Sequence, residues 1–301
     1  MVEEMRIGLI GLDTSHAPAF VRAINQSDHP DHVPGGRVVA AVVGGSPDIE
    51  ASAARIDGFT REIRDQMGVP LVDDIPSLIP LVDAVLLTSV DGRVHRTQAE
   101  PIIDAGLPLF VDKPMAANLN DVRALFDRAG HRGSPLFSCS SLRFYPGLVD
   151  TLADPDLGAV VGCDCYAPCP LEPHHPDLMW YGIHGVEMLF AVLGPDCRNV
   201  MRLSRTDDIV LGYWEDGRIG GYRGLRKGFA GYGATIFGNN AIRSFQYHGD
   251  SLFHPLLQKI MAFFHSGQAP VHRQETEMMF AFMEAADISK AHDGKLVQLE
   301  R

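Results

Sequence analysis

The regular alternation of short apolar runs with helical patterns over the first 140 residues constrains the fold of this sequence more than any other feature. After the first run, Ala17, Phe20, Val21 and Ile24 recur at the i, i+3, i+4, i+7 spacing of a helix. Continuous apolar strands that alternate with helices are typical of a parallel sheet covered on both faces. We therefore predict a doubly wound, Rossmann-type α/β domain over residues 1–140. Its predicted strands are residues 6–11, 37–43, 70–72, 83–88, 107–111 and 136–138, and further predicted helices cover 46–67, 95–105 and 119–129.

The pattern changes after residue 141. Several short strand-like segments follow in series, separated by glycine-rich turns, and helical segments are gathered apart from them. This arrangement predicts an α+β domain with an open, largely antiparallel sheet over residues 141–301. The predicted strands are 158–166, 200–203, 209–214, 218–222, 234–237 and 242–247, and the predicted helices are 177–193, 256–265 and 275–292.

Composition narrows the class of protein. Acidic residues exceed basic ones by 38 − 26 = 12, which disfavours nucleic acid or an anionic membrane as the main partner. No apolar run approaches the ~18 residues of a membrane-spanning helix. The acidic N-terminus leads directly into a strand, so we expect no signal peptide. Five cysteines do not make a disulfide framework, and a reducing cytoplasm is the expected compartment.

The first strand leads into a turn, Gly11-Leu12-Asp13-Thr14-Ser15-His16, at the position of the G-x-G-x-x-G dinucleotide motif. The first glycine is present, whereas Asp13 and His16 stand at the second and third. A carboxylate at the second position adds a side chain and a charge where a diphosphate approaches. Thr14 or Ser15 can cap the following helix, whose N-terminal amides attract an anion. The alternative is that Asp13 and Thr14 only cap that helix.

A second dinucleotide signal is altered at the end of the second strand. An acidic residue normally holds the adenosine ribose there, but this strand ends in Gly44-Gly45-Ser46. Without a carboxylate, a 2′-phosphate is not repelled, and Ser46 can donate a hydrogen bond to it. Arg55 lies close in sequence and is equally compatible with a solvated helix. These features slightly favour NADP over NAD.

Several elements further along the chain resemble those of the Gfo/Idh/MocA oxidoreductases (glucose–fructose oxidoreductase, inositol dehydrogenase, MocA), and they occur in that family's order. The most specific is Asp112-Lys113-Pro114 after the fifth predicted strand. The others are the fourth predicted strand followed by His95, the segment Arg143-Phe144-Tyr145-Pro146, residues 180–187, and residues 291–297.

The resemblance implies an NAD(P)-dependent enzyme that acts on a sugar, a cyclitol or a related polyol, and a homo-oligomer (dimer or tetramer). It implies that Lys113 hydrogen-bonds the reacting hydroxyl and stabilises the developing alkoxide. It implies that His184 takes the hydroxyl proton, so the two side chains must meet at one cavity. The cofactor-binding residues it implies, together with the turn, are Gly11, Asp13, Thr14, Ser15, Ser46, Ser89, Asp112 and Lys113.

One departure from the family concerns His184. The family commonly places an aspartate four residues earlier, where this chain has Trp180. Tyr181 lies three residues before His184 on the same helical face and can substitute as a proton relay. Trp180 can instead form a stacking wall for a sugar ring.

Other polar side chains are candidates for contacts in the cleft, each with an ordinary surface explanation as the alternative. Arg143 and Tyr145 are candidates for binding substrate oxygens, and an arginine suits a carboxylate. His174 and His175 lie in the loop before the His184 helix and are candidates for a lid. Ser89 and Asp91 follow the fourth predicted strand, where the nicotinamide ribose is expected.

The cysteines at 163, 165 and 169, followed by His174 and His175, invite comparison with a zinc site. Their C-x-C-x3-C spacing is not a familiar zinc pattern. In a strand, Cys163 and Cys165 project to one face, where reduced cysteine packs as a small hydrophobe. We therefore predict no metal.

Two functions of other classes stay open. Asp13, His16, Ser46 and Trp180 each replace a group that the redox chemistry usually employs, so the chain can instead be a Rossmann-type protein that binds a ligand without dinucleotide chemistry. A metal-dependent hydrolase or lyase built on the cysteine and histidine loop is the third alternative.

Overall fold

The computed structural model describes residues 4–249 and 252–300. The expectation about the N-terminal segment falls partly on Met1–Glu3, which lie outside the described residues. The chain divides into two compact units, one of Met1–Cys139 with Phe253–His272 and one of Ser140–Leu252 with Arg273–Arg301. We describe each unit by itself.

The elements are numbered in chain order. The strands are β1 (Met5–Ile10), β2 (Gly36–Val42), β3 (Ala84–Leu87), β4 (Leu109–Asp112), β5 (Leu136–Cys139), β6 (Val160–Pro168), β7 (Cys197–Ser204), β8 (Asp208–Trp214), β9 (Ile219–Leu225), β10 (Gly233–Gly238), β11 (Ile242–Gln246) and β12 (Val297–Gln298). The α-helices are α1 (His16–Asn25), α2 (Glu50–Ala53), α3 (Ile56–Arg61), α4 (Ile75–Leu78), α5 (Gly92–Asp104), α6 (Leu119–Arg132), α7 (Pro146–Ala153), α8 (Ile183–Leu193), α9 (Phe253–Ser266) and α10 (Arg273–Ala291). None of the helices within the described ranges is both long enough and apolar enough to cross a bilayer.

The first unit contains a parallel five-stranded sheet in the order β2-β1-β3-β4-β5. This confirms the predicted Rossmann-type sheet. Its strands are buried because helices cover both faces, and α1 buries the predicted stripe of Ala17, Phe20, Val21 and Ile24. The predicted strand at 70–72 is wrong, since Leu71 makes a single bridge to Ala41.

The predicted helix over 46–67 is broken into α2, α3 and a π-helical turn, Glu62–Gln66. Ile49 and Ile63 are its fully buried apolar side chains. Two buried side chains so far apart in sequence do not keep one straight helix packed against the sheet, because helices in proteins depend on a continuous apolar face. The broken segment leaves Ser46 and Ser52 close to the end of β2.

Helix α9 belongs to the first unit, although it lies within the predicted second domain. Its Phe263 ring packs 4.6 Å from that of Phe137, and its Phe253 ring lies 5.5 Å from that of Phe20. Helix α9 therefore follows the predicted domain boundary in sequence but packs in the core of the first unit. No local pattern in the sequence indicates this.

The second unit contains a seven-stranded sheet in the order β11-β10-β6-β9-β8-β7-β12. The pairing of β6 with β9 is parallel and the other pairings are antiparallel, which confirms the largely antiparallel sheet. The 3-10 turn Ser141–Phe144 and helix α7 were not predicted. The predicted helix over 177–193 is a π-helical turn, Leu178–Gly182, that continues into α8.

Helix α8 lies directly on this sheet. A Cβ added to Gly185 would lie 2.1 Å from the ring of Tyr222 on β9. The missing side chain therefore permits a close helix–sheet approach, which fixes the height of the neighbouring His184 above the sheet.

A cluster of buried ion pairs, the Arg202 cluster, anchors the π-helical turn. Arg202 on β7 is completely buried and pairs with Asp208 (2.9 Å), Asp177 (2.9 Å) and Asp287. Arg226 binds Asp177 and Asp208 as well. Because removal of one partner would leave a buried charge uncompensated, the cluster holds Asp177, directly before the turn that carries Trp180 and Tyr181.

Candidate functional site

The loops after β1, β2 and β3 pack tightly at the carboxyl edge of the five-stranded sheet. Gly11 has a φ of +86°, and a Cβ added to it would lie 2.3 Å from the backbone nitrogen of Ser89. Gly44 has a φ of +65°, and a Cβ there would lie 3.1 Å from the Cα of Gly11. Both the left-handed backbone and the lack of space require glycine. The arrangement suits a turn whose backbone approaches a phosphate.

Asp13, at the second glycine position, is completely buried. Its carboxylate accepts hydrogen bonds from the Ser52 hydroxyl (2.6 Å) and from the N–H of Val90 (3.0 Å). The expectation of a carboxylate that opposes a diphosphate is therefore corrected, because both oxygens are directed to protein donors. Asp13 ties the turn to the loops after β2 and β3.

The N-terminus of α1 follows this turn. Ser15 occupies the N-cap position without a capping hydrogen bond from its side chain, and Thr14 Oγ1 accepts a long bond of 3.4 Å from the N–H of His16. Of the two predicted capping candidates, Thr14 and Ser15, Thr14 is thus the one whose side chain bonds to this N-terminus. Within the described ranges, the N–H groups of Asp13, Thr14 and Ser15 donate to no protein acceptor. These amides can stabilise an anion at the start of the ten-residue helix.

His16, at the third glycine position, contacts Asp112 at the end of β4. Its Nδ1 lies 2.6 Å from Asp112 Oδ2, and its ring packs 4.7 Å from that of Phe253. Burial raises the pKa of Asp112, but the charges of His16 and Lys113 outweigh it and hold the pKa below its usual value. The imidazole therefore links the first turn to the Asp112-Lys113-Pro114 segment.

Lys113 is buried, and the peptide bond between it and Pro114 is cis. His95, one turn into α5, joins this segment to the loop after β3. Its Nδ1 lies 2.9 Å from the carbonyl oxygen of Pro114 and its Nε2 lies 2.7 Å from that of Ser89. Burial lowers the pKa of His95. The Ser89 hydroxyl donates to Gln98 at 2.9 Å, so an internal bond already uses its proton.

The end of β2 has a different polar environment from the expected one. Ser46 donates its hydroxyl proton to Asp91 at 2.6 Å, which corrects the expectation that it is available to a 2′-phosphate. Arg93 donates to Asp91 and also to Asp48 (2.9 Å). Burial raises the pKa of Asp91, but the bonds from Arg93 and Ser46 hold it below its usual value. A buried carboxylate from another loop thus lies where the second strand has none.

A cavity of about 300 Å³ opens beside this carboxylate. Its size is at the lower end of small-molecule pockets. No cationic side chain contributes to it within the described residues. Its lining consists of Gly44, Gly45, Ser46, Pro47, Ser52, Ala53, Ile56 and Asp57.

His184 lies in the second unit, near the start of α8, and is almost completely buried. Its Nδ1 lies 2.7 Å from the hydroxyl of Ser140, directly after β5. The rings of Tyr181 and Tyr232 approach the imidazole edge-on, with centroids 5.4 and 5.7 Å away. Burial, and the neighbouring Tyr181 and Tyr247, raise the pKa of Tyr232. The sequence did not indicate Ser140 or Tyr232. The one available signal was that Ser140 follows a predicted strand at its carboxyl end.

The π-helical turn carries Trp180 and Tyr181. The Trp180 ring is buried, 5.3 Å from the ring of His175 and 6.2 Å from that of Tyr181. His174 is exposed and lies 3.5 Å from Glu172. His175 and Trp180 therefore form one aromatic group with Tyr181 and His184.

Arg143 and Tyr145 occupy positions inside the second unit. The Arg143 guanidinium donates to Glu187 on α8 and to Glu275 on α10. Burial raises the pKa of Glu187, despite the charge of Arg143 and its hydrogen bond. Tyr145 is buried, with its ring 5.5 Å from that of Tyr247. Arg143 is thus an internal ion-pair partner, and its predicted contact with substrate stays a prediction.

The cysteines follow the packing prediction. Cys163 and Cys165 both face the buried side of β6, with the exposed Asp164 between them. The Cys165 thiol donates to the carbonyl of Gly185 at 3.3 Å. Cys169 lies near Asp177 and Asp208. Those two carboxylates already bind the guanidinium groups of the Arg202 cluster, which is the expected arrangement for ion pairs rather than for a cation site.

Comparison with known proteins agrees with this geometry. Residues 5–138 match the Gfo/Idh/MocA family model, described as an oxidoreductase family with an NAD-binding Rossmann fold. A 1,5-anhydro-D-fructose reductase of Ensifer adhaerens is 25% identical over 259 residues, which cover 81% of this chain and 73% of that protein. A D-xylose 1-dehydrogenase (NADP(+)) of Haloferax volcanii is 28% identical over 136 residues, or 41% of this chain and 39% of that protein.

Among solved structures, the myo-inositol dehydrogenase of Lactobacillus casei in complex with NAD(H) and myo-inositol has a TM-score of 0.78 at 15% identity. The match covers 99% of this chain and 97% of that one. At this identity the likeness shows the shared fold, a parallel Rossmann sheet followed by a mostly antiparallel sheet.

The close approach at Gly11 predicts a large loss of stability on substitution. Gly11→Ala adds a Cβ 2.3 Å from backbone at a left-handed φ, whereas Gly106→Ala has a φ of +73° and nothing within 4 Å. The control should cost about 1–2 kcal/mol from backbone strain alone, and Gly11→Ala should cost about 1–3 kcal/mol more from overpacking. Urea unfolding followed by circular dichroism measures both. Equal losses would contradict the close packing of these loops.

Proposed function

We propose that this chain is an NAD(P)-dependent oxidoreductase of the Gfo/Idh/MocA family, whose model residues 5–138 match. In this proposal it transfers a hydride between nicotinamide and a hydroxyl or carbonyl carbon of a sugar, cyclitol or related polyol derivative. The observation that carries the proposal is the glycine-lined approach of three loops at the carboxyl edge of the sheet, beside the buried Lys113. The names of the relatives, an anhydro-sugar reductase and a pentose dehydrogenase, support the substrate class.

The residues at this edge fit a dinucleotide. Gly11 and Gly44 let the backbones of three loops pack closely at this edge, and the amides of residues 13–15 precede the positive end of α1. The cavity beside Ser46 has room for part of an adenosine. We assign Ser89, in the loop after β3, and Asp112, at the end of β4, to the same cofactor site because both lie at this edge of the sheet. When bound, the nicotinamide supplies a hydride acceptor or donor.

The polar groups have complementary roles in this proposal. The Lys113 ammonium hydrogen-bonds the reacting oxygen and stabilises negative charge on it. His184 takes the hydroxyl proton during oxidation and returns it during reduction. Tyr181 borders the imidazole and relays the proton, while Trp180 and His175 present ring faces to the substrate. Arg143 and Tyr145 support these aromatic side chains from inside the unit.

Substitution of the two proposed catalytic residues tests these roles. Lys113→Met and His184→Asn should each lower kcat by about 10²–10⁴-fold. His184→Asn should leave dinucleotide affinity within about threefold, whereas Lys113→Met, at a residue also assigned to the cofactor, should still bind it measurably. NAD(P)H absorbance with a panel of aldoses, anhydro-sugars and cyclitols identifies the substrate and measures kcat. The exposed Lys295→Met and His131→Asn serve as matched controls. Wild-type turnover in Lys113→Met and His184→Asn, with the cofactor bound normally, would refute the assignment.

The structure alters the expected choice of cofactor. NADP was favoured because the end of β2 lacks a carboxylate and offers Ser46. The Ser46 hydroxyl instead donates to Asp91, Arg93 is shared by Asp91 and Asp48, and Asp57 lines the cavity. Three carboxylates and one guanidinium leave a net negative charge that disfavours a 2′-phosphate. We therefore propose a preference for NAD(H).

Removal of the Asp91 charge should relax this preference. Asp91→Asn keeps the side-chain cap on α5, and the Kd ratio of NADPH to NADH should fall roughly tenfold, which corresponds to ~1.4 kcal/mol. Asp28→Asn, an exposed change of equal charge beyond the end of α1, should leave the ratio unchanged. Nicotinamide fluorescence titration measures both affinities. Tighter NADPH binding in the wild type would contradict the proposal.

The non-redox alternative rests on Asp13 and His16, which replace two glycines of the turn. A Rossmann-type protein with that turn filled would bind a sugar-like ligand without dinucleotide. The backbone approach at Gly11 and the internal bonding of Asp13 disfavour it, since the substituted side chains are directed into the protein.

We also propose a homo-oligomer formed through the open face of the seven-stranded sheet. The face opposite α8 and α10 carries exposed apolar side chains, among them Leu203 (48% exposed), Ile219 (49%) and Ile242 (60%). Exposed apolar side chains on a sheet face make it a candidate interaction site. Leu211 on β8 lines a second cavity, of about 260 Å³, together with Ile209 and Arg223.

Sedimentation velocity tests the oligomer. The wild type should sediment as a dimer or tetramer of the 33 kDa chain, and Leu211→Arg should shift it to monomer because it places a charge on the face. Phe229→Glu, at an 81% exposed apolar side chain in a loop, should leave the assembly intact. A monomeric wild type would overturn this part of the proposal.

A further inference from the structure

The partner of His184 in this chain is a serine hydroxyl. Ser140 Oγ lies 2.7 Å from His184 Nδ1 although 44 residues separate the two, and Ser140 is completely buried. The position where the sequence lacks an orienting carboxylate, Trp180, instead packs against His175. The contact that fixes the imidazole therefore comes from the end of β5 and not from its own helix.

An imidazole has two nitrogens, and in the neutral ring one carries a proton while the other carries a lone pair. A base that accepts a substrate proton at Nε2 needs the proton at Nδ1. We propose that Ser140 is a positioning residue that accepts Nδ1–H of His184, which leaves the lone pair on Nε2. This inference rests on the proposed function, because it assigns the basic nitrogen of that reaction.

Ser140 is itself held within its own turn. Its hydroxyl oxygen accepts from the N–H of Leu142 at 3.3 Å, at the start of the 3-10 turn. Its backbone N–H lies close enough to the carboxylate of Glu187, one helical turn after His184 on α8, to lower the pKa of that carboxyl. The serine hydroxyl is thus fixed by its own backbone, and a rotation of the imidazole would break the bond to it.

Arg143 and Glu275 extend this arrangement. Glu187 is completely enclosed, and Arg143 binds both it and Glu275 on α10. Burial raises the pKa of Glu187 while Arg143 opposes that rise. The ion pairs Glu275–Arg143–Glu187 therefore connect α10 to the helix that carries the proposed base. In this arrangement Arg143 acts by holding Glu187 rather than by touching substrate.

The choice of a hydroxyl has a chemical consequence. A carboxylate at Nδ1 would fix the same tautomer and also stabilise the imidazolium by its charge. A hydroxyl fixes the ring without that charge. Among the groups around the ring are the phenols of Tyr181 and Tyr232, the Ser140 hydroxyl, and Glu187 one turn away, whose carboxylate is bound by Arg143.

Nitrogen-detected NMR of protein labelled with ¹⁵N-histidine tests the inference without turnover. The His184 signals are identified by their loss in His184→Asn. In the wild type, the His184 shifts should report a protonated Nδ1 and an unprotonated Nε2. Ser140→Ala should give a mixture of tautomers, and Ser140→Cys, with its weak acceptor, should do the same if the alanine variant does not fold. Ser140→Thr, which keeps the hydroxyl, and the adjacent buried Ser141→Ala should retain the wild-type shifts.

Kinetics supply the second readout. Ser140→Ala or Ser140→Cys should lower kcat by about 10–100-fold, the usual effect of losing a group that orients a functional histidine, with KM nearly unchanged, and should move the acidic limb of the pH–rate profile. Ser140→Thr should restore both. A wild-type Nε2–H tautomer, or a change of tautomer without a change in kcat, would overturn the role of Ser140. Wild-type turnover in His184→Asn would instead overturn the proposed function itself.

Discussion

The buried carboxylate of Asp13 is the interaction on which the first unit's site depends. Its two oxygens accept from Ser52 and from the N–H of Val90, so one side chain joins the loops after β1, β2 and β3. Glycine, the usual residue at this position, leaves space for a diphosphate. Here the hydrogen bonds of the Asp13 carboxylate direct it into the protein. Because both acceptors are satisfied inside the protein, the amides before α1 keep their capacity for an anion.

The same solution recurs elsewhere in the molecule. Asp91, from the loop after β3, supplies a carboxylate beside Ser46, and Ser140, from the end of β5, supplies the partner of His184. In both cases the polar partner comes from a segment distant in sequence. Buried groups of this kind cost desolvation unless they are fully paired, and the structure pairs each of them.

Sequence patterns predicted the elements well where a local period decides them. The stripe of Ala17 and Phe20 gave α1, and the apolar runs gave the five parallel strands. The prediction failed where distant residues decide the outcome. The segment 70–72 is not a strand, because Leu71 makes a single bridge, to Ala41. Helix α9 joins the first unit because Phe263 packs on Phe137. The same holds for the candidate site. The motif identified Arg143, but its partner Glu275 lies 132 residues away in sequence, so no local pattern predicts the pair.

We propose that the turn after β1, with Asp13 bonded inward and His16 on Asp112, still holds a dinucleotide. Isothermal titration calorimetry of the purified protein with NAD, NADH, NADP and NADPH tests this proposal. We expect saturable heat with the NAD pair, and weaker binding of the phosphorylated pair. The absence of heat with all four dinucleotides would contradict it and would favour a Rossmann-type protein that binds its ligand without nicotinamide chemistry.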